Sequence, residues 1–298
     1  MRVFVTGASG FVGAAVVREL KQAGHHVIGL ARSDASAAAL TKVDVEVHRG
    51  DVEDLDSLRT GVAKADGVIH TAFNHDFSKF QTNCANDALA IEALAAPLVG
   101  DDRPLVITSG IGVLPHGGLL TEDALPPTGP TAHPRTATEH ASMAAAARGV
   151  KVSVVRLPAS VHGNGDHGFV PILIGMARER GLSAYPGDGT NRWPAVHRQD
   201  AARLYRLALE KGAADARYHA VAEQGIDFRD IATTIGKRLG VPVESRSGEA
   251  ASAYFGWFSH FAAMNVPASS EWTRKELGWQ PEGPGLIDDL NRPGCYLP

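Results

Sequence analysis

Three glycines at every third position lie close to the start of the chain, at Gly7, Gly10 and Gly13. They follow an apolar run, Val3–Thr6, that predicts a strand, and they open Phe11–Ala23, whose apolar spacing predicts a helix. In such a turn the first glycine permits a tight bend, the second lets backbone amides approach a pyrophosphate, and the third lets the helix pack closely on the sheet. The helix N-terminus adds free N–H groups and a partial positive charge. The turn therefore predicts a site for the diphosphate of a dinucleotide, and the alternative is a turn that binds nothing.

Arg32 and Ser33 bear on which dinucleotide would bind. They follow the second predicted strand, at the place where a carboxylate would accept hydrogen bonds from the ribose 2′-hydroxyl of NAD. An arginine instead pairs bidentately with a phosphate, and a serine hydroxyl can donate a hydrogen bond to one. These residues favour NADP(H). Asp34 follows directly, which keeps NAD(H) as the less favoured alternative, and a solvated surface position is the alternative for Arg32.

The elements that must position these residues alternate along the first half of the chain. Apolar runs that predict strands are separated by helix-like segments, and this pattern indicates a parallel sheet with helices on both faces. The expected fold class is α/β, a Rossmann-type doubly wound parallel sheet with a smaller mixed C-terminal substrate lobe. The later predicted elements are the strands His26–Leu30, Val43–His48, Gly67–Ala72, Pro104–Ser109 and Val150–Leu157 and the Ala-rich helix Arg135–Arg148.

The character of the sequence changes after Pro158, where glycine and proline become frequent. A helix over Asp200–Lys211 and a strand over Arg217–Val221 are then predicted, and the strand is expected to return to the main sheet. The expected dinucleotide-binding domain is residues 1–160 with residues 196–221 returning to it, and the expected substrate-binding lobe is residues 161–195 and 222–298.

Seven segments resemble the extended short-chain dehydrogenase/reductase superfamily, in particular its epimerase/dehydratase-like members. They are Thr6–Gly13, Gly50–Val52, His70–Phe73, Val106–Ser109, Arg156–Ser160, Val196–Asp200 and Thr273–Pro281. The resemblance covers essentially the whole chain, and it implies a nicotinamide cofactor at the edge of the sheet and a homodimer built on two helices of the large domain. The cofactor-binding residues expected from the glycine turn and the resemblance are Gly7, Ser9, Gly10, Phe11, Val12, Gly13, Arg32, Ser33, Asp51, Val52, Thr71, Ala72, Phe73, Arg135, Leu157, Ala159 and Ser160.

The sequence departs from this superfamily at the catalytic motif, Tyr-x-x-x-Lys, in which the tyrosine gives a proton to a carbonyl oxygen and the lysine lowers its pKa. Aligned on the Ala-rich helix and Glu139, the lysine position falls on Arg135 and the tyrosine position on Thr131. A guanidinium can bind ribose hydroxyls but cannot exchange a proton near neutral pH. Ser109 stands one position before the expected helper hydroxyl. The chain resembles atypical members that keep the cofactor site, and Ser109, Thr131 and Arg135 are candidate active-site residues.

His133 is the candidate proton donor because imidazole titrates near neutral pH and because it lies between Thr131 and Arg135. A surface histidine in a Pro-rich loop is the alternative. His162 and His167, with Asp166 between them, suit a substrate loop better than a metal site, and no metal is predicted.

Several further residues have a structural and a functional interpretation. His197 is expected to be a capping or core histidine. Arg192 is expected to line the substrate pocket, and Trp193 either lines it or packs inside the lobe. The residues expected in the core of the small lobe or at a dimer face are Phe255, Trp257, Phe258 and Phe261.

The composition argues against several classes of protein. The 298 residues carry a net charge of −4 with both signs mixed along the chain, so no broad basic surface for nucleic acid is expected. Two distant cysteines provide neither a disulfide framework nor a zinc ligand cluster. Met1 leads directly into a predicted strand, with no signal peptide or long apolar run, so we expect a cytoplasmic protein without a membrane segment.

These observations favour an NADP(H)-dependent oxidoreductase that reduces a small or medium carbonyl compound with a non-standard active site. The departure at the catalytic motif keeps two alternatives open. One is a catalytically inactive NADP(H)-binding sensor or regulatory protein. The other is an epimerase or isomerase, in which the bound cofactor oxidises and re-reduces one substrate without being released.

Overall fold

The computed structural model describes residues 1–129 and 132–296 of the chain. The strands are β1 (Arg2–Thr6), β2 (His26–Ala31), β3 (Glu46–Arg49), β4 (Gly67–His70), β5 (Leu105–Gly110), β6 (Val152–Leu157), β7 (Ser160–His162), β8 (Ser183–Pro186), β9 (Arg192–His197), β10 (Arg217–His219), β11 (Glu223–Asp227) and β12 (Val243–Arg246). The helices are α1 (Phe11–Gln22), α2 (Asp34–Lys42), α3 (Leu55–Val62), α4 (Phe80–Ala95), α5 (Thr136–Ala147), α6 (Phe169–Arg180), α7 (Arg198–Lys211), α8 (Phe228–Leu239), α9 (Gly248–Phe255), α10 (Ser259–Ala262), α11 (Glu271–Leu277) and α12 (Leu286–Asn291). None of the helices in this part of the chain is both long enough and apolar enough to cross a membrane.

The main sheet has seven parallel strands in the order β3-β2-β1-β4-β5-β6-β10. Side chains alternate between its faces, so Val3 and Val5 of β1 pack with α1 and α7 while Phe4 packs with α3 and α4. Helices therefore cover both faces, which confirms the predicted doubly wound α/β class. The strand order reverses between β1 and β4, and sheets of this type bind ligands at the carboxyl ends of the strands on either side of that point.

The predicted third strand, Val43–His48, was placed too early, because strand β3 begins at Glu46. Val43 instead ends helix α2, which the apolar pattern did not predict, and 53% of Val43 is exposed. Asp44 then adopts a left-handed conformation with φ of 54°, which turns the chain into the strand. Helix α2 is fixed at its other end by Ser33, whose hydroxyl accepts a hydrogen bond from the Ser36 amide.

The C-terminal part of the chain forms a smaller mixed lobe, as predicted. Strand β9 lies between β7, which is parallel to it, and β11, which is antiparallel, and β8 pairs with β12. Their core is aromatic, with Trp193, Phe228, Phe255 and Phe258 almost fully buried. Strand β10 returns to the main sheet beside β6, whereas the exact boundaries of the two predicted domains stay a prediction.

Candidate active site

A single cleft of about 1230 Å³ runs along the carboxyl ends of the main strands and under the small lobe. Thr131, the position aligned with the missing tyrosine, lies outside the described residues. The other residues predicted to bind the cofactor or to act in catalysis all line this cleft, namely Gly7, Ser9, Gly10, Phe11, Val12, Gly13, Arg32, Ser33, Asp51, Val52, Thr71, Ala72, Phe73, Ser109, His133, Arg135, Leu157, Ala159 and Ser160.

The glycine turn has the geometry that a diphosphate requires. Gly7 has φ of 68°, and a Cβ there would lie 2.7 Å from the backbone nitrogen of Ala72. A Cβ at Gly13 would lie 2.0 Å from the carbonyl oxygen of Gly7. Gly10 precedes α1, and no side chain caps the helix at this end. The first N–H groups of α1 therefore lie at the cleft without a capping partner, and the residues present fit an anionic phosphate group.

Arg32 and Ser33, which could bind a 2′-phosphate, and Asp34, which could bind a ribose hydroxyl, lie in different places. Arg32 and Ser33 line the cleft, and Arg32 has no ion-pair partner among the described residues. Asp34 does not line the cleft, and its carboxylate pairs with Arg49 at the surface. Arg32 therefore places a positive charge at this end of the cleft, and Asp34 places no negative charge there.

Arg135 occupies the other end of the cleft, immediately before α5. Its Nη1 lies 3.2 Å from Oδ2 of Asp87, and its Nη2 donates to the carbonyl oxygen of Thr108 at 3.4 Å. The guanidinium carbon lies 3.5 Å from the centre of the Phe73 ring, a cation–π contact. Within the described residues Nη1 has no well-directed hydrogen bond, although it is within ion-pair distance of Asp87. The cation is thus held in place at the cleft, and Nη1 itself is buried.

A buried hydrogen-bonded chain supports Asp87. His70 Nε2 lies 3.1 Å from Oδ1 of Asp87, the Thr138 hydroxyl donates to Oδ2 at 2.6 Å, and His70 Nδ1 lies 2.7 Å from the Thr6 hydroxyl oxygen. A carboxylate only accepts, so Nε2 donates to it and Nδ1 accepts from Thr6. Burial raises the pKa of the Asp87 carboxyl, but the charge of Arg135 and the hydrogen bond from His70 outweigh burial, and the pKa is lowered. Asp87 is therefore a carboxylate at neutral pH.

His133 lies beside Arg135, and its Nε2 has no hydrogen-bond partner among the described residues. Its Nδ1 accepts a hydrogen bond from the backbone amide of Arg135 at 3.3 Å, which places the proton of the neutral ring on Nε2. Phe80 contacts the ring edge-on, with 5.4 Å between centroids. Burial and the charges of His260 and Arg135 lower the pKa of His133. The group can donate a hydrogen bond when neutral and a proton when charged.

Ser109 has a competing partner. Its hydroxyl donates to Oε1 of Glu139 at 2.7 Å, and Glu139 forms a fully buried ion pair with Arg156 at 2.7 Å. The hydroxyl hydrogen is thus directed into the core, and Ser109 can offer a ligand in the cleft only its acceptor lone pair. Gly110 and Gly112 also line the cleft, where they add no side chain.

The predicted substrate loop is only partly at the cleft. His167 and Asp166 line it, and the His167 ring lies 5.8 Å from the Phe11 ring across the glycine turn. Asp166 accepts a hydrogen bond from the Tyr296 hydroxyl at 2.7 Å, and burial raises the pKa of the Asp166 carboxyl. His162 instead lies fully buried against Asp289, away from the cleft. In the described part of the chain no group of three His, Cys, Asp or Glu side chains could hold a metal ion.

The residues of the small lobe differ in whether they reach the cleft. The expectation that Arg192 lines the pocket is wrong, because its side chain faces Asp227 at 3.7 Å outside the cleft. Trp193 packs in the lobe, where it is fully buried, so its alternative interpretation holds. His197 is confirmed as the N-cap of α7. Phe261 packs against the core of the lobe, as expected, and also lines the cleft.

Sequence reasoning missed four residues that lie at or behind this end of the cleft. Asp87 and His70 support Arg135, and His75 lines the cleft with a pKa that burial and the charge of Arg135 lower. Tyr205 is distant in sequence from the catalytic segment, yet its buried hydroxyl lies 2.7 Å from the hydroxyl of Thr108. The one usable signal was Asp87, a charged residue on the buried face of helix α4.

Comparisons with known proteins agree with this geometry. The NAD dependent epimerase/dehydratase family matches residues 3–222. The uncharacterized protein C2A9.02 of Schizosaccharomyces pombe is 51% identical over 291 residues, covering 97% of this chain and 98% of that protein. The 2-alkyl-3-oxoalkanoate reductase of Stenotrophomonas maltophilia is 29% identical, covering 85% and 80% respectively.

The fold itself is shared with solved structures. The crystal structure of the dTDP-glucose 4,6-dehydratase DesIV from Streptomyces venezuelae superposes with a TM-score of 0.76 at 22% identity, covering 98% of this chain and 96% of that one. Family match, relatives and fold point the same way. The chain belongs to the NAD dependent epimerase/dehydratase family, within the extended short-chain dehydrogenase/reductase superfamily, and is an NAD(P)-dependent oxidoreductase.

Proposed function

We propose that the chain is an NADP(H)-dependent reductase of small or medium carbonyl compounds with a non-standard active site. One observation carries the proposal: a single cleft joins Arg32, which has no ion-pair partner among the described residues, to the partly buried Arg135 and His133. The first group suits a 2′-phosphate, and the second suits a carbonyl oxygen that gains negative charge. The relationship to a protein named as a 2-alkyl-3-oxoalkanoate reductase supports a reduction rather than a sugar epimerisation.

The glycine turn and Arg32 would hold the cofactor. The amides at the start of α1 would bind the diphosphate, and Asp51 and Val52 would lie along the adenosine. Arg32 and Ser33 would bind the 2′-phosphate. The charge of Arg32 favours NADPH over NADH because a 2′-hydroxyl offers it no anion. When bound, the cofactor supplies a hydride.

Arg135 and His133 would act on the substrate end. Arg135, which lines the cleft, would place a positive charge beside the reacting oxygen or beside a ribose hydroxyl. His133 Nε2 would hydrogen-bond the carbonyl oxygen and, as imidazolium, give it a proton. The histidine would take the place of the family tyrosine. It would do so from a different backbone position, two residues from Arg135.

A sensor without turnover is the second candidate, and one observation favours it. The Ser109 hydroxyl donates to Glu139, so the position nearest the expected helper hydroxyl has no proton to offer a substrate. A protein that binds NADPH tightly in this cleft, and changes its surface on binding, needs no such proton. The two functions share the cofactor site and differ only at the reaction end.

We also propose a homodimer built on α4 and α5. These helices pack side by side on one face of the main sheet. Leu89 on α4 is 51% exposed and Met143 on α5 is 36% exposed, and a second copy would cover them. Light scattering should give twice the mass of the chain, and Leu89→Glu should reduce it to the monomer mass.

One experiment separates reductase from sensor. The pure protein is incubated with NADPH and a panel of aldehydes, ketones and imines, and NADPH absorbance is followed. Oxidation that depends on substrate and is lost in His133→Asn supports the reductase. Tight NADPH binding with no oxidation across the panel would contradict it and favour the sensor.

A further inference from the structure

Four phenylalanines from separate segments line the end of the cleft next to His133. Phe77 and Phe80 lie at or just before the start of α4, Phe169 begins α6, and Phe261 lies in α10. The Phe77 and Phe80 rings are stacked with 5.8 Å between centroids, Phe77 is 5.7 Å from Phe261, and Phe261 is 4.7 Å from Phe169. We call Phe77, Phe80, Phe169 and Phe261 the aromatic wall.

The aromatic wall is partly exposed to solvent, whereas the aromatic core of the lobe behind it is buried. Phe77 is 36% exposed, and beside it Trp257 is 59% exposed, with 5.6 Å between the ring centroids. One layer deeper, Phe258 and Trp193 are fully buried. Neighbouring exposed rings place apolar surface in contact with water, which is unfavourable in free energy. In soluble proteins such apolar patches mark binding sites. The aromatic residues of the core are thus buried, whereas Phe77 of the aromatic wall stays exposed at the cleft.

The cations at this end do not favour an anionic ligand. Among the described lining residues the cations are Arg32, at the far end, Arg135, which is paired with Asp87, and Lys79. Lys79 lies close to the Asp76 carboxylate, whose pKa is lowered by hydrogen bonds from Ser78 and by the charge of Lys79. No arginine fork for a second diphosphate is left here, so a nucleotide-linked substrate lacks its usual partner.

The histidines at this end are suited to a neutral ligand as well. Burial lowers the pKa of both His75 and His133, which favours their uncharged form at neutral pH. Uncharged imidazole can hydrogen-bond a single carbonyl oxygen, and its ring can contact an aromatic substrate. Rings packed edge-on and offset favour flat aromatic partners over saturated ones of the same size.

We propose that the aromatic wall selects uncharged aromatic aldehydes and ketones as substrates, and this rests on the proposed function. The substrate ring would pack against Phe77 and Phe261, with the carbonyl directed to His133. The carbonyl carbon accepts a hydride from the reduced nicotinamide nucleotide, the C=O π electrons move to oxygen, and the oxygen takes a proton from His133. The products are an aromatic alcohol and the oxidised nucleotide, and solvent returns the proton to His133.

A pair of substrates matched in size tests this selection. The kcat/KM with NADPH is measured for benzaldehyde and for cyclohexanecarbaldehyde, which differ in having a flat or a saturated ring. We expect benzaldehyde to be favoured about tenfold, the effect of two aromatic contacts. Phe77→Ala should reduce this ratio to about twofold without changing the Kd for NADPH. Trp272→Ala is the matched control, since Trp272 is a 41% exposed aromatic residue outside the cleft, and it should keep the tenfold ratio.

A binding measurement tests the aromatic wall independently of catalytic turnover. Saturation-transfer NMR with the full chain should show 2-naphthalenemethanol bound through its ring protons, and Phe77→Ala should remove the signal while Trp272→Ala keeps it. Absence of oxidation with every carbonyl, together with this binding, would overturn the reductase and leave the aromatic site standing. Equal kcat/KM for the two aldehydes, or a ratio that Phe77→Ala leaves unchanged, would overturn the aromatic selection and leave the reductase standing.

Discussion

The two ends of the cleft are built in opposite ways. At the glycine turn the groups offered to a ligand are backbone amides of α1 and Arg32, which lies at the surface. At the reaction end they are side chains, and Arg135 is held by Asp87, which is itself held by His70. Changes to exposed side chains at the first end should therefore alter binding without altering folding. Changes at the second should alter both, because they break a buried network.

The largest effect should come from Asp87. Asp87→Ala removes the carboxylate that pairs with Arg135 and leaves a cation in a site where little water reaches it. We expect a loss of about 3–5 kcal/mol in the free energy of unfolding, as for other broken buried pairs. The measurement is urea denaturation at neutral pH.

Asp34→Ala is the matched control at the other end of the cleft. Its pair with Arg49 is at the surface, where the Asp34 side chain is 97% exposed, so the loss should stay below about 1 kcal/mol. Similar losses for Asp87→Ala and Asp34→Ala would mean that the two ends do not differ in the way described.

The next effect tests the backbone character of the glycine turn. Gly13→Ala would bring a Cβ to 2.0 Å from the Gly7 carbonyl oxygen, so the turn must open. The Kd for NADPH should rise by about 100-fold, because the amides no longer converge on the diphosphate. Gly175→Ala, at a helical glycine with open space around it, is the control and should leave the Kd unchanged. Retained affinity in Gly13→Ala would show that the turn is not the phosphate site.

Arg32 should separate the two nicotinamide nucleotides. Arg32→Asp replaces the cation at the cleft by a charge that repels a 2′-phosphate, and NADPH should bind about 50-fold more weakly while NADH changes by less than about threefold. Isothermal titration with both nucleotides measures this. Arg59→Asp, which changes an exposed arginine outside the cleft, controls for the change in net charge. Equal effects of Arg32→Asp on both nucleotides would remove the 2′-phosphate assignment.

The smallest effect is the pH dependence of the reaction end. His133 must be protonated to give a proton, and its pKa lies below the ordinary value of 6.5. The kcat/KM for reduction should therefore rise as the pH falls and become constant below that pKa, a gain of about tenfold for each unit above it. Oxidation of the alcohol should show the opposite trend. A profile that stays the same in His133→Asn would assign the proton to another group.

The sequence allowed the fold to be predicted where the signals were local. The strands carry continuous apolar runs because both faces of the sheet are covered, and the glycine turn is a contiguous motif. Helix α4 was not predicted because Asn83 and Asp87 on its inner face interrupt the apolar spacing. The boundary of β3 was placed too early because Val43 reads as a strand residue but ends a helix.

The reaction end could be predicted only in part, for the same reason. Arg135 and His133 could be proposed from the sequence because they lie in the one segment that aligns with a known motif. Phe261 is far from Phe77 and Asp87 in sequence, and only the packing of α10 near the start of α4 brings them together. The periodicity of apolar residues does not show which distant residues meet through tertiary contacts. This half of the site could therefore be described only from the structure.

A crystal structure of the chain with NADPH would test the central claim most directly. The account predicts that the diphosphate lies against the amides of residues 10–13 and that the 2′-phosphate lies within hydrogen-bonding distance of Arg32, with the nicotinamide toward Arg135. A nucleotide bound elsewhere, or a glycine turn filled by a side chain of the protein, would contradict it.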